Sequence, residues 1–177
     1  MATNDPLIDM NIHFLQQGQE LMQNITDKQY IFSESAYFSS SAGKHMRHVL
    51  DHYLSLLDGW TTKIDYDARE RDKRIEEDRE YAIDQFKQCI DRLKEMPNKP
   101  DLYKQGIPVR SNEAETGEEG SWSSSSVNRE LQFLIGHTVH HYALVAFILR
   151  VQDFSPPKEF GIAPSTLKYE QQRTQES

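Results

Sequence analysis

Apolar residues recur at intervals of three and four along four stretches of the chain. That spacing aligns one face of a helix with about 3.6 residues per turn. The first stretch runs roughly from Pro6 to Ile31, with Leu7, Met10, Phe14, Leu21 and Ile25 apolar and Pro6 suited to a first helical turn. The second runs roughly from Gly43 to Thr62 and carries Met46, Val49, Leu50, Tyr53, Leu57 and Trp60. The third runs roughly from Arg69 to Met96, with Ile83, Phe86, Ile90 and Leu93 inward and Pro97 as its stop. The fourth runs roughly from Val127 to Gln152, closed by Pro156-Pro157, and its wide apolar arc predicts the most buried helix. Stripes of this length are buried only against one another. The predicted fold class is therefore all-α, a four-helix bundle. One domain is expected over residues 1–170, with 171–177 a disordered tail.

The segment from Pro97 to Ser126 breaks the pattern with three prolines, three glycines and the run Ser123-Ser124-Ser125-Ser126. Short alternation at Ile107-Pro108-Val109 and Gly120-Ser121-Trp122 predicts a small hairpin between the third and fourth helices. A connection this long is otherwise a lid, a binding loop or disorder. Trp122 and the serines read equally as part of a lid or as a cap on the fourth helix.

Charge and composition narrow the function. Across 177 residues the chain is 37% hydrophobic and 27% charged, with a formal net charge of −8, ordinary for one globular domain. An acidic chain without a dense Lys/Arg run is a poor match for a phosphate backbone, so no nucleic-acid partner is expected. The longest apolar run is Ala143 to Leu149, short of the ~20 residues of a bilayer span, so no membrane partner is expected. Met1 to Asp9 lacks the basic-then-apolar order of a signal peptide. The single cysteine, Cys89, fits a reducing compartment. Together these predict a cytoplasmic protein in which the Asn24-Ile25-Thr26 sequon is inert and Cys89 is a small apolar filler. A homodimer is left open.

Six of the seven histidines fall in two windows: His45, His48 and His52 on the second predicted helix, and His137, His140 and His141 on the fourth. Residues four apart lie about 40° apart on a helix. His137 and His141 therefore share a face and can share one ion, with His140 about 60° to 100° away. That face borders the stripe of Leu131, Leu134, Thr138, Tyr142, Val145 and Leu149. Two histidine faces on two helices of one bundle can converge, and three neutral imidazoles with open positions describe a site that still admits a ligand. The plainer alternative is a set of hydrogen-bonded core histidines. On the second helix, the stripe favours His45 or His52 over His48, which sits at its edge.

Other chemistries are absent. His137-Thr138-Val139-His140-His141 has Thr138 where a zinc protease needs glutamate. No glutamate precedes a clustered histidine by three, as the ferritin-like pattern requires. No cysteine knuckle, phosphate-binding glycine loop or Gly-x-Ser-x-Gly elbow is present. Glu130 lies two turns before His137, about 10 Å along the axis. That distance suits orienting a substrate or pairing with an arginine, or simply favourable placement at a helix N-terminus. Arg69 and Arg71 open the third predicted helix and are candidates for a substrate carboxylate; the plain alternative is a solvated face. Asp51 is a candidate hydrogen-bond acceptor from a ligand imidazole.

Ser41-Ala42-Gly43-Lys44-His45-Met46-Arg47-His48-Val49-Leu50-Asp51-His52-Tyr53, Arg129-Glu130-Leu131-Gln132-Phe133 and His137-Thr138-Val139-His140-His141-Tyr142 resemble the DinB-like superfamily of metal-dependent proteins. Phe160-Gly161-Ile162-Ala163-Pro164-Ser165-Thr166 is similar to one branch of it, so the likeness covers roughly Phe38 to Tyr169. The resemblance implies a four-helix bundle with a three-histidine site: one ligand from the second helix and two, four apart, from the last. Carried over, these are His137 and His141 with His48, which follows Gly43 by five residues, and His52 is the runner-up. It further implies one divalent ion (nickel, zinc or iron) and a transferase or hydrolase, in some relatives thiol-dependent, acting on a small molecule. The rival readings are a helical protein that a metal merely braces and an interaction module with satisfied core histidines.

Overall fold

The computed structural model describes residues 5–34, 39–111 and 120–175. Among these the protein is mostly helical, with eight helices and a small three-stranded sheet.

Each of the predicted helical stretches is present, but two are divided by their own capping residues. α1 (Pro6–Asn24) starts on Asp5, whose side chain accepts the Leu7 and Ile8 amides. The expected single helix to Ile31 stops where Ile25 turns extended. Thr26 then caps α2 (Asp27–Ile31) through a reciprocal box with Gln29, a pairing that satisfies two otherwise orphaned N–H groups. α3 (Ala42–Gly59) is capped by Ser41. The third predicted helix begins later than Arg69, as α4 (Lys73–Glu77), and breaks at Asp78, whose side chain accepts the Tyr81 amide and opens α5 (Arg79–Glu95). After Pro97 comes a single turn, α6 (Pro100–Tyr103), which the hydrophobic pattern did not mark. α7 (Val127–Arg150) is the fourth predicted helix.

The predicted hairpin exists with a shifted second arm. β2 (Gly106–Arg110) holds the expected Ile107-Pro108-Val109, but its antiparallel partner is β3 (Ser123–Ser126), the serine run, with Ile107 opposite Ser125. Gly120-Ser121-Trp122 precedes that strand, and residues 112–119 of the predicted lid lie outside the described residues. On its other edge β2 pairs in parallel with β1 (Ile64–Asp65). Ser126 ends β3 and caps α7, so the sheet fixes where α7 begins. α8 (Pro164–Gln175) extends through the start of the expected tail; residues 176–177 lie outside the described residues.

α1 packs on α5 and α7, and α3 packs on α7, α5 and α4. Between them lie Leu15, Leu50, Leu56, Phe86, Leu93, Leu134 and Val145, all fully buried. Each large apolar side chain so removed from water contributes about 1.5–3 kcal/mol. Buried polar groups are tied into this core. The Tyr53 hydroxyl donates to Asn11 Oδ1 at 2.8 Å and accepts from Thr138 at 3.3 Å. The Asn11 amide donates to the carbonyls of Leu7 and Leu131 at 2.8 and 3.1 Å, and Tyr142 donates to the Phe14 carbonyl at 2.9 Å. By length and composition alone α7 is apolar enough to cross a membrane, although its unbroken apolar run is short; here its apolar face lies on α1 and α3.

Candidate metal centre

The contact of α3 with α7 leaves its core side to Tyr53, Thr138 and Tyr142 and its edge to the histidines. On α3, His48 and His52 follow one another by a turn, half-buried and buried respectively. On α7, His137 and His141 do the same, both half-buried, while His140 is exposed. His48 Nε2 and His137 Nε2 are 3.2 Å apart. One ring nitrogen from each of His48, His52 and His137 lies within 4.8 Å of the other two. Two nitrogens bound to one tetrahedral ion at about 2.0–2.1 Å stand about 3.3 Å apart, so the His48–His137 spacing is already that of a metal-bound pair. His52 Nδ1 donates to the His48 carbonyl at 2.8 Å. That bond fixes its tautomer and leaves Nε2 with the lone pair a metal requires.

His141 is beside this group but differently engaged. Its ring is 4.5 Å from that of His48 and 4.6 Å from that of His137, and its Nδ1 meets His45 Nδ1 at 2.9 Å. The structure thus brings together four of the histidines marked in the sequence, with His52, the runner-up, in the tightest group.

Electrostatics favour uncharged rings. Burial, followed by the neighbouring imidazoles, lowers His52 and His141 to about 3, and burial with His140 and Arg69 lowers His137 to about 4. Burial and the surrounding histidines push His48 lower still. At neutral pH all four rings are uncharged, the state in which imidazole binds metal. Among the described residues, His137 Nδ1 is buried without a hydrogen-bond partner, an incompleteness that a purely structural polar cluster rarely keeps. These residues fit a divalent ion.

Arg69 reaches this cluster and Arg71 does not. Arg69 lies in the non-helical segment before α4, and its Nη1 stands 3.2 Å from both ring nitrogens of His52 and 3.4 Å from His48 Nδ1. Arg71 is exposed, with φ of 55°. Asp51 turns from the imidazoles to Arg47, at 2.7 Å, and Arg47 also binds Glu76 at 3.0 Å. Glu130 is buried and acts through Tyr66: its Oε2 accepts from the Tyr66 hydroxyl at 2.9 Å and its Oε1 from Ser125 at 2.5 Å. Tyr66 in turn stacks on His52 with ring centroids 5.2 Å apart. Burial and the Glu130 carboxylate hold the Tyr66 hydroxyl far above its ordinary range, so it remains a donor. Cys89 is fully buried, with its thiol pushed up to about 12, and is a core filler.

Tyr66 and Phe133 were not singled out as site residues in the sequence. Phe133 stacks on His137 at 5.4 Å and contacts Tyr66 at 5.8 Å. Its position four before His137 was the available signal, because that places both on one face. Both aromatics border a cleft of about 510 Å³ walled by Val109, Ser125, Arg129 and Glu130, a volume suited to a small molecule.

The fold and site define a mainly helical protein with a three-histidine group able to hold a metal ion. No family profile and no solved structure matches the chain. It is similar to FK506-binding protein 5 of Rhizopus delemar, 28% identical over 163 residues, which cover 92% of this chain and 37% of that protein. The chain therefore spans little more than a third of the length of the curated relative it matches.

Proposed function

We propose that this chain is a DinB-like four-helix-bundle metalloprotein. α1, α3, α5 and α7 form the bundle, and one divalent ion is held on His48, His137 and a third histidine. The observation that carries the reading is the convergence of uncharged rings from α3 and α7, with nitrogens of His48, His52 and His137 within 4.8 Å of one another. Geometry favours His52 as the third ligand and the family likeness favours His141.

The function that suits the arrangement is that of a metal-dependent transferase or hydrolase acting on a small molecule. When bound, the ion supplies Lewis-acid polarisation. The protein supplies the rest. The cleft lined by Tyr66, Arg129, Glu130 and Phe133 receives the ligand, and the Tyr66 and Phe133 rings, stacked on His52 and His137, stand between that cleft and the histidines. Glu130 fixes the Tyr66 hydroxyl. Any thiol in the reaction belongs to a substrate, because Cys89 is sealed in the core.

Cobalt(II) titration followed by visible absorption tests the reading and identifies the third ligand. The expected result is one tight site per chain, weakened about 100-fold or more in His52→Ala and less than fivefold in His141→Ala, where each tenfold is about 1.4 kcal/mol. The reverse order assigns His141 as the third ligand. Absence of a tight site in the unaltered chain removes the proposal.

A further inference from the structure

Arg69 makes no ion pair among the described residues, although Asp51 and Asp67 lie near enough to act on its charge. Its guanidinium is half-buried, its hydrogen-bond partners are imidazole nitrogens, and its Nε is buried with no partner among the described residues. The nearby carboxylate of Asp51 is already held by Arg47. Charged groups drawn into a protein are ordinarily paired, and a guanidinium matches a carboxylate with two parallel N–H bonds. Here the Nε edge of the fork is unsatisfied.

The histidine tautomers say when that edge becomes available. His52 Nδ1 donates to a carbonyl, and Arg69 Nη1, 3.2 Å from both nitrogens of that ring, lies over its face. For His48 Nδ1 to accept from Arg69, the proton must sit on Nε2 and point to His137 Nε2. Without metal, the His48 proton thus lies between His48 Nε2 and His137 Nε2. An ion held by His48 and His137 would need the lone pair on His48 Nε2. The His48 proton would then belong on Nδ1, where it faces the Arg69 donors, and Arg69 would lose its in-plane acceptor. A divalent ion and a guanidinium beside three neutral imidazoles would carry more positive charge than Asp51, held by Arg47, and Asp67 offset.

We propose that Arg69 recognises a carboxylate-bearing ligand at the metal centre: metal loading removes the His48 acceptor from the guanidinium, and its unsatisfied two-pronged edge then grips a carboxylate beside the ion. This rests on the three-histidine metal reading and assigns the ligand class for that same site. Arg71, exposed and outside the cluster, has no part in it.

The test uses the full chain loaded with cobalt(II), titrated with acetate and separately with azide at constant ionic strength, and read by visible absorption. Acetate is expected to perturb the spectrum saturably. Arg69→Ala should still take up cobalt at least as tightly as the unaltered chain and lose acetate affinity tenfold or more. Azide, which offers no carboxylate fork, should lose less than threefold, and Arg71→Ala should match the unaltered chain for both anions. Acetate affinity within twofold of the unaltered chain in Arg69→Ala overturns the assignment. So does an equal loss of acetate and azide, which marks a general charge effect, or a loss of cobalt. A chain that takes up no cobalt overturns the metal reading and this one together; loading without Arg69-dependent acetate binding overturns this one alone.

Discussion

α3 and α7 meet along one line, yet the two sides of that line differ. On the core side, Tyr53, Asn11, Thr138 and Tyr142 are buried and every hydroxyl has a partner. On the edge, the histidines are crowded ring to ring, His137 Nδ1 and Arg69 Nε are buried without partners among the described residues, and a guanidinium rests on neutral rings. Satisfied polar groups in a core stabilise one arrangement. Crowded, uncharged, incompletely bonded groups are costly to the empty protein and useful only with a ligand. The difference separates framework from site on the same two helices, and each side should respond to its own perturbations.

The largest effect is expected on the framework side. Leu50 is fully buried in α3, and Leu50→Ala should lower stability in urea by about 2–5 kcal/mol while leaving the number of metal ions bound unchanged. Metal lost in proportion to stability would mean that the two sides are one unit. Tyr53→Phe should cost about 1–3 kcal/mol, because it strands Asn11 Oδ1 and the Thr138 hydroxyl in the core, again without change in metal affinity. A change within ~0.3 kcal/mol would show that the network is not what holds the helices.

Acid should act on the site side. The clustered histidines titrate at about 6.5 in an unfolded chain and lower when folded, with His137 at about 4 and His52 at about 3, chiefly through burial. Below pH ~6.5 the unfolded state binds more protons, so stability is full above that pH and falls as the pH is lowered toward about 4. Denaturant melts of the metal-free protein at pH 7.5 and 5 should differ in that direction, and less so in His137→Ala. Circular dichroism over the same acid series with metal present separates two roles. Helicity that outlasts metal release fits an ion serving chemistry, and simultaneous loss fits an ion bracing the fold. The smallest effect is expected at His140, exposed on α7: His140→Ala should shift stability by less than ~0.5 kcal/mol and metal affinity less than twofold.

The same contrast explains what the sequence made legible. Helical stripes are local, so the long helices and the pairing of His137 with His141 on one face were readable from spacing. Choosing among His45, His48 and His52 was not, because a helical wheel does not say how far a neighbouring helix is rotated. Arg69 was visible as a charged candidate, but assigned to a helix. Its reach into the cluster depends on the non-helical segment between β1 and α4. The serine strand was hidden because its pairing comes from β2, and the breaks at Ile25 and Asp78 because the stripes run across them.

The central claim is that one ion sits between α3 and α7 on His48 and His137. Metal analysis of chain purified without chelator tests it most directly. The account predicts about one divalent ion per chain, lost in His48→Ala and in His137→Ala while the circular dichroism of both variants stays that of the unaltered protein. Full metal content in both variants would contradict it.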